Sequence, residues 1–128
     1  MVEVATNWVE HTSRSSPVMT EPAIDLDHLG RMTLGERSIE REVLHLFEVQ
    51  SAMLIERMRN GPACRIAGCA HTLKGSARGI GAWRIARASE RVELSAGRWG
   101  PGFKIAMDEL VQSVDDARAV IADRLRVN

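Results

Sequence analysis

Apolar residues recur every three or four positions through the last quarter of the chain: Phe103, Met107, Leu110, Val114, Ala117, Ile121 and Leu125. On a helix they form one stripe about six turns long, with acidic, basic and amide side chains filling the other faces. A helix of that length with a single apolar stripe cannot bury it alone, so it requires other long helices to pack against.

The rest of the chain supplies them. Between Glu36 and Arg59 the apolar positions Ile39, Val43, Leu46, Phe47, Leu54 and Met58 keep helical spacing, and Asn60-Gly61-Pro62 then makes a turn whose proline can open the next helix. That next helix runs from Pro62 to Ile80, with Gly81 as its terminator. Trp83, Ile85, Ala88, Val92 and Ala96 outline a further helix, and Gly97-Arg98-Trp99-Gly100-Pro101-Gly102 breaks the chain before the last one. Upstream, Asp25 can cap a short helix that puts Leu26, Leu29 and Met32 on one face, with Gly35 in the turn behind it. Strand-type alternation is absent. The pattern predicts an all-α fold: an antiparallel four-helix bundle with a short N-terminal helix and a flexible N-terminal tail. The expected division is 1–22 for the tail, where His11 to Pro17 and Pro22 have loop composition, and 23–128 for the bundle.

At 128 residues the chain is one domain with enough length for a core. Its formal charge of zero gives no reason to expect nucleic acid as a partner, and no apolar run approaches a membrane span or a signal-peptide core. Cys64 and Cys69 point about 140° apart on a helix and are poorly placed to pair, which suits a cytoplasmic protein. Neither a disulfide nor a metal site is expected.

The helix from Pro62 to Ile80 carries the most informative stretch. Ile66, Ala70, Leu73, Ala77 and Ile80 fall within about 80° of one another and make its buried stripe, while His71 points about 140° away from that stripe's centre. Gly68, Gly75 and Gly79 share the outer side with it. Each glycine inside a helix costs about 0.5–1 kcal/mol relative to alanine, so something other than helix stability keeps three of them together. Because helical side chains lean towards the N-terminus, a bulky residue at position 75 would cover the imidazole. Bare backbone leaves the ring standing free, and Lys74 leans back beside it with an ammonium for any anion the ring carries. No carboxylate lies near His71 in the sequence. From Pro62 to Lys104 eight basic residues face only Glu90 and Glu93, so the segment reads as locally positive and suited to an acidic partner surface, with association that slows as salt rises.

His71, Leu73, Lys74, Gly75, Ser76 and Gly79 match, in order, the motif of the histidine-containing phosphotransfer (HPt) domains of two-component phosphorelays, and the chain resembles that family from about residue 23 onwards. The resemblance implies that His71 is the phosphorylated nucleophile, that Lys74 neutralises the phosphate, and that Gly68, Gly75, Ser76, Arg78 and Gly79 form the docking surface. It also implies partners: the receiver domains of response regulators or hybrid histidine kinases. The receiver would bring the phospho-aspartate and its Mg²⁺, this chain would bind no cofactor of its own, and a monomer is the expected state. A neutral imidazole is a competent nucleophile near neutral pH, but no Walker-type loop or kinase motif is present, so no use of ATP is expected. The alternative is a non-catalytic docking protein that uses the same face to sequester or inhibit a kinase or response regulator.

Overall fold

The computed structural model describes residues 21–126, and the expected N-terminal tail lies almost wholly outside them. Five helices follow in order: α1 (Leu26–Met32), α2 (Arg37–Arg59), α3 (Ala63–Ile80), α4 (Trp83–Ser95) and α5 (Pro101–Arg126). The four long ones form the bundle in a ring: α3 packs on α2 and α4, α5 packs on α4 and α2, and α1 lies against α3. No strand occurs among the described residues. Pro101 opens α5, where its missing N–H costs no helical hydrogen bond, so the glycine-rich break ends two residues earlier than its composition suggests.

The core is the set of stripes read from the sequence, with a rotation on α2 and with only Leu29 buried of the face read for α1, Leu26 and Met32 being exposed. Ile66, Ala70, Leu73, Ala77 and Ile80 of α3 are buried, as are Ile85, Ala88 and Val92 of α4 and Leu110, Val114, Ala117 and Ile121 of α5. On α2 the expected members Ile39 and Leu46 are instead exposed. The buried row there is Glu40, Leu44, Phe47, Ser51, Leu54, Ile55 and Met58. Two polar residues hid it. Glu40 Oε2 accepts hydrogen bonds from Arg37 Nη1 at 2.8 Å and Arg124 Nη2 at 2.7 Å, so its charge is paired where it is buried. Ser51 Oγ donates to the Glu48 carbonyl at 3.2 Å. Once both are satisfied internally they can occupy core positions, and the stripe turns by one residue.

The α1 segment is fastened to the α3–α4 junction. Gly81 caps α3 in the left-handed region at φ 81°, and its carbonyl accepts from the Asp25 N–H at 2.9 Å. Asp25 caps α1 through the His28 N–H at 3.1 Å and also accepts from the Trp83 indole at 3.1 Å. The His28 N–H and then the indole hold the Asp25 carboxyl below its ordinary value. His28 is half-buried edge-on against Trp83 with ring centroids 4.9 Å apart. Trp83 is therefore a bundle-end residue that ties α1 down. A Cβ at position 81 would stand 3.0 Å from the Asp25 carbonyl oxygen and 3.2 Å from His28 Cβ, besides straining the positive φ. Gly81→Ala should thus lower unfolding free energy by about 2 kcal/mol, measured by urea denaturation. An unchanged midpoint would mean that this junction does not hold α1.

Candidate functional site

Burial of the 66–70–73–77–80 row fixes the rotation of α3, and that rotation turns His71 outward: its side chain is 67% exposed. The expectation of a free-standing ring needs correction. His71 Nδ1 lies 3.0 Å from Glu93 Oε2, and Lys74 Nζ lies 3.0 Å from Glu93 Oε1. One carboxylate of α4 thus bridges two side chains of α3 that are nearly a turn apart. Packing of α4 on α3 creates this contact across 22 positions of sequence.

The charge states follow. The Lys74 hydrogen bond, then that of His71, pull the Glu93 carboxyl below its ordinary value, against a partial opposing effect of burial. Glu93 is therefore ionised at neutral pH and can only accept hydrogen bonds, so Nδ1 must carry the ring proton. The remaining nitrogen, Nε2, makes no hydrogen bond to another described residue. In the neutral ring this leaves the Nε2 lone pair facing the open side of the helix.

That open side is the glycine strip. An added Cβ at Gly68, Gly75 or Gly79 would meet nothing within 4 Å, so none of the three is demanded by packing inside the bundle. On one flank stand His71, Lys74 and Arg78. On the other, Gly68, Cys69 and Thr72 share a shallow recess with Leu54 and Arg57 of α2. Leu46 and Met53 lie within about 40° of Arg57 around the α2 axis, and both are exposed, so that flank of α2 presents apolar side chains beside the glycines. Ser76 is half-buried on the same side of α3.

Arg78 is exposed and reaches Glu90 of α4 at 4.0 Å, so it is drawn towards the acids of α4 rather than held over the ring. The positive character read from the sequence is also reduced in space. Arg84 pairs with Asp116, Arg91 with Glu109, Lys104 with Asp108 and Arg87 with Glu21. Acids of α5 thus neutralise much of the basic run, which the linear count could not show. Among the described residues no group of three or more His, Cys, Asp or Glu side chains is placed to hold a metal ion, and no helix is long and apolar enough to cross a membrane. Cys64 is exposed and Cys69 buried, both as free thiols.

Glu93 is the residue that the sequence reading passed over. Its signal was present in the charge count, since Glu90 and Glu93 are the sole acids between Pro62 and Lys104. Both stand opposite cations of α3.

A family model for the Hpt domain matches residues 42–120, more than half of the chain and the whole of α3 and α4. This chain belongs to the Hpt domain family. Neither a curated protein nor a solved structure gives a match. Membership assigns the chain a phosphotransfer role in phosphorelays and an interaction with receiver domains. The match begins within α2, so α1 and its junction with Trp83 lie partly outside the family pattern.

The geometry has two stability consequences. Gly75→Ala should leave the fold intact and raise unfolding free energy by about 0.5–1 kcal/mol, because it gains helix propensity without a clash. A loss of stability in urea titrations would show that the bare strip serves the bundle itself. Glu93 has its carboxyl value depressed on folding, so its contribution is complete above the unfolded value and fades as pH falls through the folded one. The stability advantage of wild type over Glu93→Gln should therefore shrink between pH 7 and pH 3. An advantage that does not vary with pH would mean that Glu93 gains nothing from its ionised form.

Proposed function

We infer that this Hpt domain accepts a phosphoryl group on His71 from the phospho-aspartate of a receiver domain and passes it to another receiver in a multistep phosphorelay. The observation that carries this reading is the pairing of an outward imidazole, its Nδ1 engaged by Glu93, with a glycine strip that no internal packing requires. Phosphoryl transfer asks mainly for positioning and charge neutralisation, and both are compatible with what surrounds the ring. His71 is the nucleophile and Lys74 the cation beside the incoming phosphate. Gly68, Gly75 and Gly79 give the receiver backbone clearance, with Ser76 at the edge of the strip and Arg78 at its rim. The exposed Leu46 and Met53 of α2 offer the apolar part of the docking face. The receiver contributes the Mg²⁺ that its own acidic site holds during transfer.

The direct test is incubation with a panel of phosphorylated receivers and Mg²⁺, followed by mapping of acid-labile, base-stable phosphate. Label is expected on His71 in the wild type and nowhere in His71→Gln. Gly75→Leu should remain folded, since its side chain enters open space, yet lose transfer by at least tenfold because the chain leans over the ring. Binding of receivers without label on the wild-type protein would overturn the relay reading in favour of a docking inhibitor. Normal transfer by folded Gly75→Leu would overturn the clearance argument.

A further inference from the structure

The side of α4 turned towards α5 carries a row of its own. Arg84, Arg87, Arg91 and Leu94 follow at three- and four-residue spacing, about 100–180° around the helix from Glu93, so the row lies clear of His71. Along it runs a groove between α4 and α5. One recess of about 320 Å³ contains Glu21, Arg87 and Arg91, and a second of about 410 Å³ contains Arg91, Leu94, Arg98 and Ile105. The two share Arg91 and Glu109 and are therefore continuous.

The described residues leave the far end of this groove incomplete in two respects. It is apolar yet open, with Leu94 of α4 67% exposed and Ile105 of α5 57% exposed. Its charge is also unmatched there. Arg84, Arg87 and Arg91 are paired with Asp116, Glu21 and Glu109, whereas the Arg98 guanidinium makes no ion pair with a described residue. The partner of Arg87 is informative, because Glu21 belongs to neither helix. It is the first described residue of the chain, so the N-terminal stretch enters the fold with an acid already seated at the near end of the groove.

We propose that residues 2–10 occupy the far end of the groove, with Trp8 and Val9 on Leu94 and Ile105 and with Glu10 at Arg98. The segment has the complementary chemistry: Val2, Val4, Trp8 and Val9 are apolar, Glu3 and Glu10 are acidic, and no base lies among them. Covering two exposed aliphatic side chains with an indole removes apolar area from water, and the carboxylate at the rim fixes the direction of the chain. The reach is ample. From Arg87 to Leu94 the helix rises about 10 Å, while the chain from Glu10 to Glu21 spans up to about 36 Å when extended. His11 to Pro17, in between, has the composition of a connecting loop. A tether of that length holds the segment at high local concentration over the groove, an advantage that neither a second copy nor a separate protein has.

The experiment uses the full chain labelled with ¹⁵N and ¹³C. NOE spectra should contain cross-peaks from the Trp8 ring to the methyl groups of Leu94 and Ile105. Trp8→Ser should shift the amide signals of Arg91, Leu94, Arg98 and Ile105 and leave those of His71 and Lys74 in place. Leu94→Asn, a change at an exposed position, should keep the fold and abolish the Trp8 cross-peaks to Ile105. Arg98→Glu should weaken them about threefold, and Glu10→Lys in the same chain should restore them. Failure of that charge exchange would overturn the seat of Glu10 at Arg98. Cross-peaks between molecules in a mixture of labelled and unlabelled chains would put a second copy in the groove and overturn the proposal. Trp8 cross-peaks to another face, or a Trp8→Ser spectrum superimposable on wild type, would overturn it too and leave the groove to a separate partner.

Discussion

The structure depends on the complete burial of one face of α3. Ala70, Leu73 and Ala77 have no exposed surface, and Ile66 and Ile80 extend the same row along the helix. Their small and branched side chains let α2 and α4 approach α3 closely from either side. Because the row spans the whole helix, α3 cannot rotate about its axis without exposing several apolar residues at once, each worth about 1.5–3 kcal/mol when it is branched or long. The outward direction of His71 is thus a by-product of core packing. No local interaction of the histidine is needed to establish it.

That rigidity explains how α3 tolerates a glycine-rich outer face. Gly68, Gly75 and Gly79 together give up about 1.5–3 kcal/mol of helix propensity. An isolated helix with that composition would be marginal in water. Neighbours on both sides and the Gly81 cap with its bond to Asp25 compensate, and the helix runs unbroken for 18 residues. The loss of propensity is spent on the surface facing solvent, where an added Cβ would meet nothing. That sacrifice lies on the solvent face beside His71, and nothing inside the bundle requires it.

Charge is arranged with the same economy. The basic residues of α3 and α4 and the acids of α5 are separated in sequence but interleaved in space, as Arg84 with Asp116 and Arg91 with Glu109. Most such pairs are exposed and add little to stability. Two carboxylates differ. Glu40 is buried between Arg37 and Arg124 and joins the start of α2 to the end of α5. Glu93 joins α4 to α3 through His71 Nδ1 and Lys74 Nζ. One secures an end of the bundle and the other ties two helices together at the candidate site.

Helical periodicity was legible from the chain alone, because a stripe at three- and four-residue spacing has one economical burial. So were the turns at Gly61-Pro62, Gly81 and Gly97 to Pro101, where backbone requirements restrict the residue type. The relation of His71 to Lys74 and the glycines was legible for the same reason: all five lie on one helix, whose geometry is known before any packing. The sequence could not show the buried row of α2, since Glu40 and Ser51 read as polar and only tertiary packing brings Arg124 to Glu40. Nor could it show Glu93. A contact between residues 71 and 93 exists only when two helices lie side by side at a particular rotation, and that rotation is decided by how their apolar faces interlock. The candidate histidine with its lysine and glycines was thus a local property of α3, whereas the carboxylate at its Nδ1 was decided by tertiary packing.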